Sequence, residues 1–154
     1  GLPVAEGARV AGLALACVGG SLMLSQQLVM RLKAVPLARW LVLGALIAGC
    51  GFAAVAAVRS QAMLLGCYAV MAFGMGLVFP NFQAMAANAV QAHEQGAAAG
   101  TLSAAQGLGV VLGPIVGTVL YRVAHPLPYL LVGAGLWALA AFIHLRWRCV
   151  RKAS

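Results

Sequence analysis

Acidic side chains are almost missing from this chain: Glu6 and Glu94 are its only carboxylates in 154 residues. That leaves little for paired-carboxylate catalysis or for a carboxylate metal cage. Charged residues of both signs make up only 8% of the sequence, against about a quarter in a soluble domain. A chain so poor in charge could not cover its own surface in water. The four cysteines form no CxxC pair, and Cys17, Cys50 and Cys67 lie inside apolar runs. They read, with Cys149, as small hydrophobes and not as disulfides or metal ligands. The three histidines, His93, His125 and His144, fall near the ends of apolar runs or in links. No nucleophile–base pair is visible, so the chain reads as a non-enzyme, with no metal and no cofactor.

Also lacking is any basic stripe interleaved with aromatics. The net charge is +8 and the pI is near 10.2, but the cations sit between apolar runs, where membrane topology places them. A nucleic-acid partner is therefore not expected. Regular polar–apolar alternation is missing too, which removes a membrane β-barrel.

What the sequence does contain is hydrocarbon. Hydrophobic residues make up 64% of it, and the mean hydropathy is +0.99. Five apolar runs cover about residues 10–30, 40–58, 62–85, 97–121 and 128–145. Each is long enough to cross a bilayer core of roughly 30 Å. Backbone groups in lipid must be satisfied within the segment, so the runs are expected to be helices. The fold class is thus all-α integral membrane, with about five transmembrane helices and the lipid bilayer as a partner. The first run is not a signal peptide, because its leading segment is not clearly basic and the apolar stretch continues past Cys17.

Arg31, Lys33 and Arg39 follow the first run, and Arg146, Arg148, Arg151 and Lys152 follow the fifth. The opposite links hold Arg9, Arg59 and Arg122. The larger basic share marks the cytoplasmic side. The C-terminus is then inside and the N-terminus outside, an arrangement expected of a piece that has lost an upstream span.

Polar side chains within spans tend to face a bundle interior or a cavity. Ser21, Ser25, Gln26 and Gln27 close the first span, the third carries Asn81, Gln83 and Asn88, and the fourth carries Thr101, Ser103 and Gln106. The middles of the second and fifth are apolar. The first, third and fourth spans are therefore expected to face a cavity, and the second and fifth to face lipid. Asn81 and Asn88, seven residues apart, share a helix face that Gln83 does not. For each amide, cavity lining and interhelical hydrogen bonding remain alternatives. In the fourth span Gly109, Gly113 and Gly117 recur every fourth residue, a pattern that lets another helix approach closely. Pro114 removes a backbone donor there and is expected to bend the helix. No Asp, Glu, Lys or Arg lies in the centre of a span, so a proton relay is not visible.

The order of these features is similar to a known pattern. It begins at Gly74-Met75-Gly76, continues through Pro80-Asn81-Phe82-Gln83-Ala84-Met85 and a polar link, and reaches Glu94-Gln95-Gly96. It then passes Gly100, Gln106-Gly107 and Gly109 to Gly113-Pro114-Ile115-Val116-Gly117 and Leu120-Tyr121. So read, the whole chain resembles the C-terminal half of a major facilitator superfamily transporter, in particular the drug:proton antiporters of the tetracycline and multidrug efflux type. It corresponds to the eighth to twelfth helices of a twelve-helix fold, so residues 1–154 are a partial C-terminal transmembrane domain. The link with Arg31, Leu32, Pro36, Leu37 and Arg39 is similar to the second copy of the family's cytoplasmic signature, but it lacks the Asp and the Gly-Arg of the full pattern.

The resemblance implies that the first, third and fourth spans line the cavity, as the polar side chains do independently. It also implies that the coupling carboxylates lie mostly in the absent half. The expected activity is proton-coupled efflux of a small amphipathic compound or drug, in the inner (plasma) membrane, with the missing N-terminal half as a partner. Gln26, Gln27, Asn81, Gln83, Ser103 and Gln106 are the candidate substrate contacts, with Phe79 and Phe82 as apolar walls. Gly109, Gly113, Pro114 and Gly117 are the candidate packing and bending positions. The alternatives are a non-transporting membrane scaffold or assembly subunit, and an inactive truncated transporter. These residues expressed alone are expected to give no efflux.

Overall fold

A computed structural model describes residues 4–32 and 34–153, with side-chain surroundings over 6–32 and 34–146. The side chains of Lys33, Arg148, Cys149, Arg151 and Lys152 lie outside the described residues. Five long helices account for nearly all of it: α1 (Val4–Arg31), α2 (Leu37–Val55), α3 (Gln61–Asn88), α4 (Gln95–Val123) and α5 (Leu127–Ala153). Each has the length and apolarity of a membrane span, as an all-α chain with its backbone bonds closed within segments requires.

The helix ends follow local chemistry. Pro36 sits at the N-cap of α2. The second apolar run extends to Val58, but α2 ends at Val55 and the chain turns, because Ser60 caps α3. The Ser60 hydroxyl accepts from the Met63 amide at 3.2 Å, satisfying one orphan donor of the first turn. Between α3 and α4 a short 3₁₀ turn spans Ala92–Glu94. The Gln91 amide donates to Glu94 Oε2 there, at 3.2 Å, as half of a capping box. Pro128 occupies the first turn of α5, where a missing N–H costs nothing.

The packing order is set by small residues. α2 is gripped between α3 and α5, α1 lies on α3, and α4 touches α3 and α5 only lightly. Gly44, Ala45, Ala48, Gly49 and Gly51 of α2 are buried. A Cβ on Gly44 would stand 2.7 Å from the Gly74 carbonyl oxygen and 2.7 Å from Leu77 Cβ, so α2 and α3 meet backbone to backbone. Gly49 faces Gly133 and Trp137 of α5, and the Trp137 indole N–H donates to the Leu46 carbonyl at 3.4 Å. α1 meets α3 where Ser25 faces Gly76. Leu41, Ala45, Val78 and Ala140 form the apolar centre of this slab.

One expectation therefore changes. The apolar second span, assigned to the lipid-facing periphery, is the helix with two neighbours closed upon it, because its glycines and alanines admit them. Only its remaining face, with Leu43 and Leu46, stays exposed. Among the described residues the close helix approach is found between α2 and α3, and not at Gly109, Gly113 and Gly117 of α4. A Cβ at any of those three α4 positions meets nothing within 4 Å, and α4 has no buried residue at all. Pro114 lies within the continuous span of α4. The Thr118 hydroxyl donates to its carbonyl at 2.6 Å.

Candidate substrate cleft

The C-terminal third of α3 and the N-terminal half of α4 run side by side because the link between them is short. On α3, Phe79, Phe82 and Gln83 are spaced three and four residues apart and so share a face. On α4, Ser103 and Gln106 are three apart and do the same. Where the two faces meet, Gln83, Gln95, Ser103 and Gln106 line a cleft of about 240 Å³, floored by Ala98, Ala99 and Leu102. The Gln95 side-chain amide donates to the Ala87 carbonyl at 3.4 Å across the link, which ties the two helices together at the closed end of the cleft.

A second, larger cleft of about 540 Å³ adjoins it. Phe79, Phe82 and Met85 of α3 face Leu139 and Phe142 of α5 there, with Leu41 and Val78 behind. Gln106 lines both clefts, so one carboxamide stands at the boundary between a polar hollow and an apolar one. It lies about 16 Å along α4 from the helix start, at 1.5 Å per residue, close to the middle of the span. No ionisable side chain lines either cleft among the described residues. A primary amide both donates and accepts, so the polar half can meet an uncharged donor or acceptor without a compensating charge. The apolar half is of ordinary size for a small-molecule site, about 300–1,000 Å³.

Of the candidate contacts, the structure thus brings together Gln83, Ser103, Gln106, Phe79 and Phe82. It does not bring in Gln26 and Gln27, which are exposed on α1 and line neither cleft. Asn81 is only 2% exposed, and its amide donates to the Leu77 carbonyl at 2.6 Å. That bond lies within α3 and is neither of the two alternatives, cavity lining or an interhelical hydrogen bond. Gln95, Met85, Leu139 and Phe142 are lining residues that the sequence reading leaves out. For α5 a signal was present: Leu139, Phe142 and Ile143 repeat at helical spacing on one face.

Among the described residues no group of His, Cys, Asp and Glu is placed to hold a metal ion. The described cysteines are unbonded: Cys17 is half-buried, Cys50 exposed and Cys67 buried.

Five antiparallel apolar helices, with an amphipathic cleft opening between two of them, define a multi-pass α-helical membrane protein. The sequence profile of the Major Facilitator Superfamily matches residues 5–153, and the chain belongs to that superfamily, whose members are transporters and not enzymes. No curated protein and no solved structure is matched by the chain.

Proposed function

We propose that the chain forms one wall of the substrate path in a secondary active transporter that exports a small amphipathic compound from the cell against proton entry, across the inner (plasma) membrane. The observation that carries this reading is the meeting of Gln83, Ser103 and Gln106 with Phe79 and Phe82 in two adjoining clefts. A solute with one polar end and one apolar body matches that pairing better than an ion or a sugar would. The mechanism that goes with it is rocking of two helical bundles about a site near the midplane. The second bundle is, on this proposal, the N-terminal half of the transporter. It would cover the unburied faces of α1 and α4 and supply the coupling carboxylates, since neither cleft holds one among the described residues.

Efflux of a fluorescent uncharged amphipathic compound from cells that express the chain together with the N-terminal half tests the proposal. Gln106→Ala and Gln83→Ala should each raise the apparent KM roughly three- to tenfold, the worth of one hydrogen bond to substrate. They should also reorder preference among substrates while membrane levels stay unchanged. Gln27→Ala should do neither. Equal loss for every substrate, together with a fall in membrane level, would assign the two glutamines to packing and sink the proposal. Export that continues after an uncoupler collapses the proton gradient would remove the proton from it.

A further inference from the structure

Away from that cleft, on the outer side of the α2–α5 seam, a groove of about 370 Å³ runs along the helices. Val42, Leu43, Leu46 and Ile143 line its length, and Arg39 and His144 stand together at one end. Leu43 and Leu46 are 46% and 42% exposed, so the groove opens outward and not into the slab. Arg39 is in the first turn of α2, at the level where a span leaves the hydrocarbon. Among the described residues no carboxylate lines the groove. Glu94, the nearer of the two acids by topology, accepts from the Gln91 amide. Cationic side chains gather at this end: Arg31 closes α1, and Arg146 follows His144, its guanidinium 5.8 Å from the centroid of the Phe142 ring.

An apolar trough with cationic and hydrogen-bonding groups at its interfacial end has the shape and charge pattern of one phospholipid chain and its headgroup. We infer that the α2–α5 groove is a binding site for an anionic phospholipid. One acyl chain lies along Val42, Leu43, Leu46 and Ile143, and the phosphate is met by Arg39 and His144. Arg39 also has an interaction within the chain, but a guanidinium offers five N–H donors, so the headgroup does not need an otherwise unpartnered cation. A free phosphate would leave the apolar length unused, and a neutral hydrocarbon would leave the cationic end unused. The groove shares no lining residue with the α3–α4 cleft and only Ile143 with the larger apolar cleft.

The test is lipid retention by the purified protein, with phosphatidylglycerol and phosphatidylcholine of identical acyl chains offered together and the bound lipid measured by native mass spectrometry. Phosphatidylglycerol should be retained about fivefold over phosphatidylcholine, in line with the pull of basic residues on anionic lipid at a membrane surface. The Arg39→Gln, His144→Gln double variant should bring the ratio near one, whereas Arg39→Lys should keep most of it. Leu43→Trp, on an exposed position where misfolding is not at issue, should fill the trough and lower retention of both lipids. Arg59→Gln, at the other end of α2, should change nothing. Equal retention of the two lipids by the unaltered protein overturns the inference. So does an Arg59→Gln effect as large as that of the double variant, because bulk charge and not the groove would then select the lipid.

Discussion

Glycine divides this chain into positions where a side chain is forbidden and positions where it is free. At Gly74 an added methyl would meet the Gly44 carbonyl at 2.7 Å and Ala48 Cα at 2.8 Å, and backbone cannot step aside as a flexible side chain can. Gly74→Ala should therefore destabilise the protein by about 1–3 kcal/mol, the range for an overfilled core, seen as a lower unfolding temperature in detergent. Gly113→Ala meets nothing within 4 Å and should be neutral, or stabilising by up to about 1 kcal/mol through helix propensity. Equal losses at the two positions would contradict the packing described here. The same contrast shows what the sequence made legible. A spacing of four marks Gly109, Gly113 and Gly117 as capable of close approach, but capability does not name a neighbour. Gly44 and Gly74 have no such repeat and are found only once α2 and α3 are laid together. For Asn81 the alternatives of cavity and interhelical bond left out a third: a short amide in a span can bond to its own helix, and the geometry shows that it does.

Existence and number of the helices were legible at the scale of elements, because about 20 apolar residues admit one structure in a bilayer. Their ends were less so. Hydropathy runs on through Val58, while α2 stops at Val55, since apolar character says nothing about which residue caps the next helix. Ser60 supplies that boundary, and Ser60→Ala should cost about 1 kcal/mol. Amide hydrogen exchange should quicken over residues 61–64 and stay unchanged at the far end of α3, whereas Ser60→Asp should hold the first turn. An unchanged exchange pattern in the alanine variant would remove the cap. Polar content also served as a guide to burial, with mixed success. It located the α3–α4 cleft through Gln83, Ser103 and Gln106. It misplaced α2, because thin helices of glycine and alanine are buried by backbone contact and need no polar group to mark them.

For the whole molecule, the distribution of cations sets an expectation of topology. The link after α1 and the end of α5 are expected in the cytoplasm, and the link after α2 outside. In a cysteine-free background, Ala57→Cys should react with an impermeant maleimide on intact cells, and Ala34→Cys only after permeabilisation. The reverse labelling would invert the orientation. α5 illustrates how far single-helix reasoning reaches: its middle is apolar and suits lipid, yet Leu139 and Phe142 also wall the larger cleft, so one helix serves both environments with different faces.

The backbone contact between α2 and α3 has a mechanical meaning as well. Where two helices touch through side chains, rotamers can reshuffle and let one slide past the other. At Gly44, Ala48 and Gly74 there are no rotamers to reshuffle. α2 and α3 are in effect pinned, with α5 fastened to α2 through Gly49, Gly133 and Trp137. α4 is held only by sparse contacts and the short 3₁₀ turn at Ala92–Glu94. A change of shape during a transport cycle therefore leaves α2, α3 and α5 to move as one stiff plate, the kind of body that can rock as a unit against a second bundle.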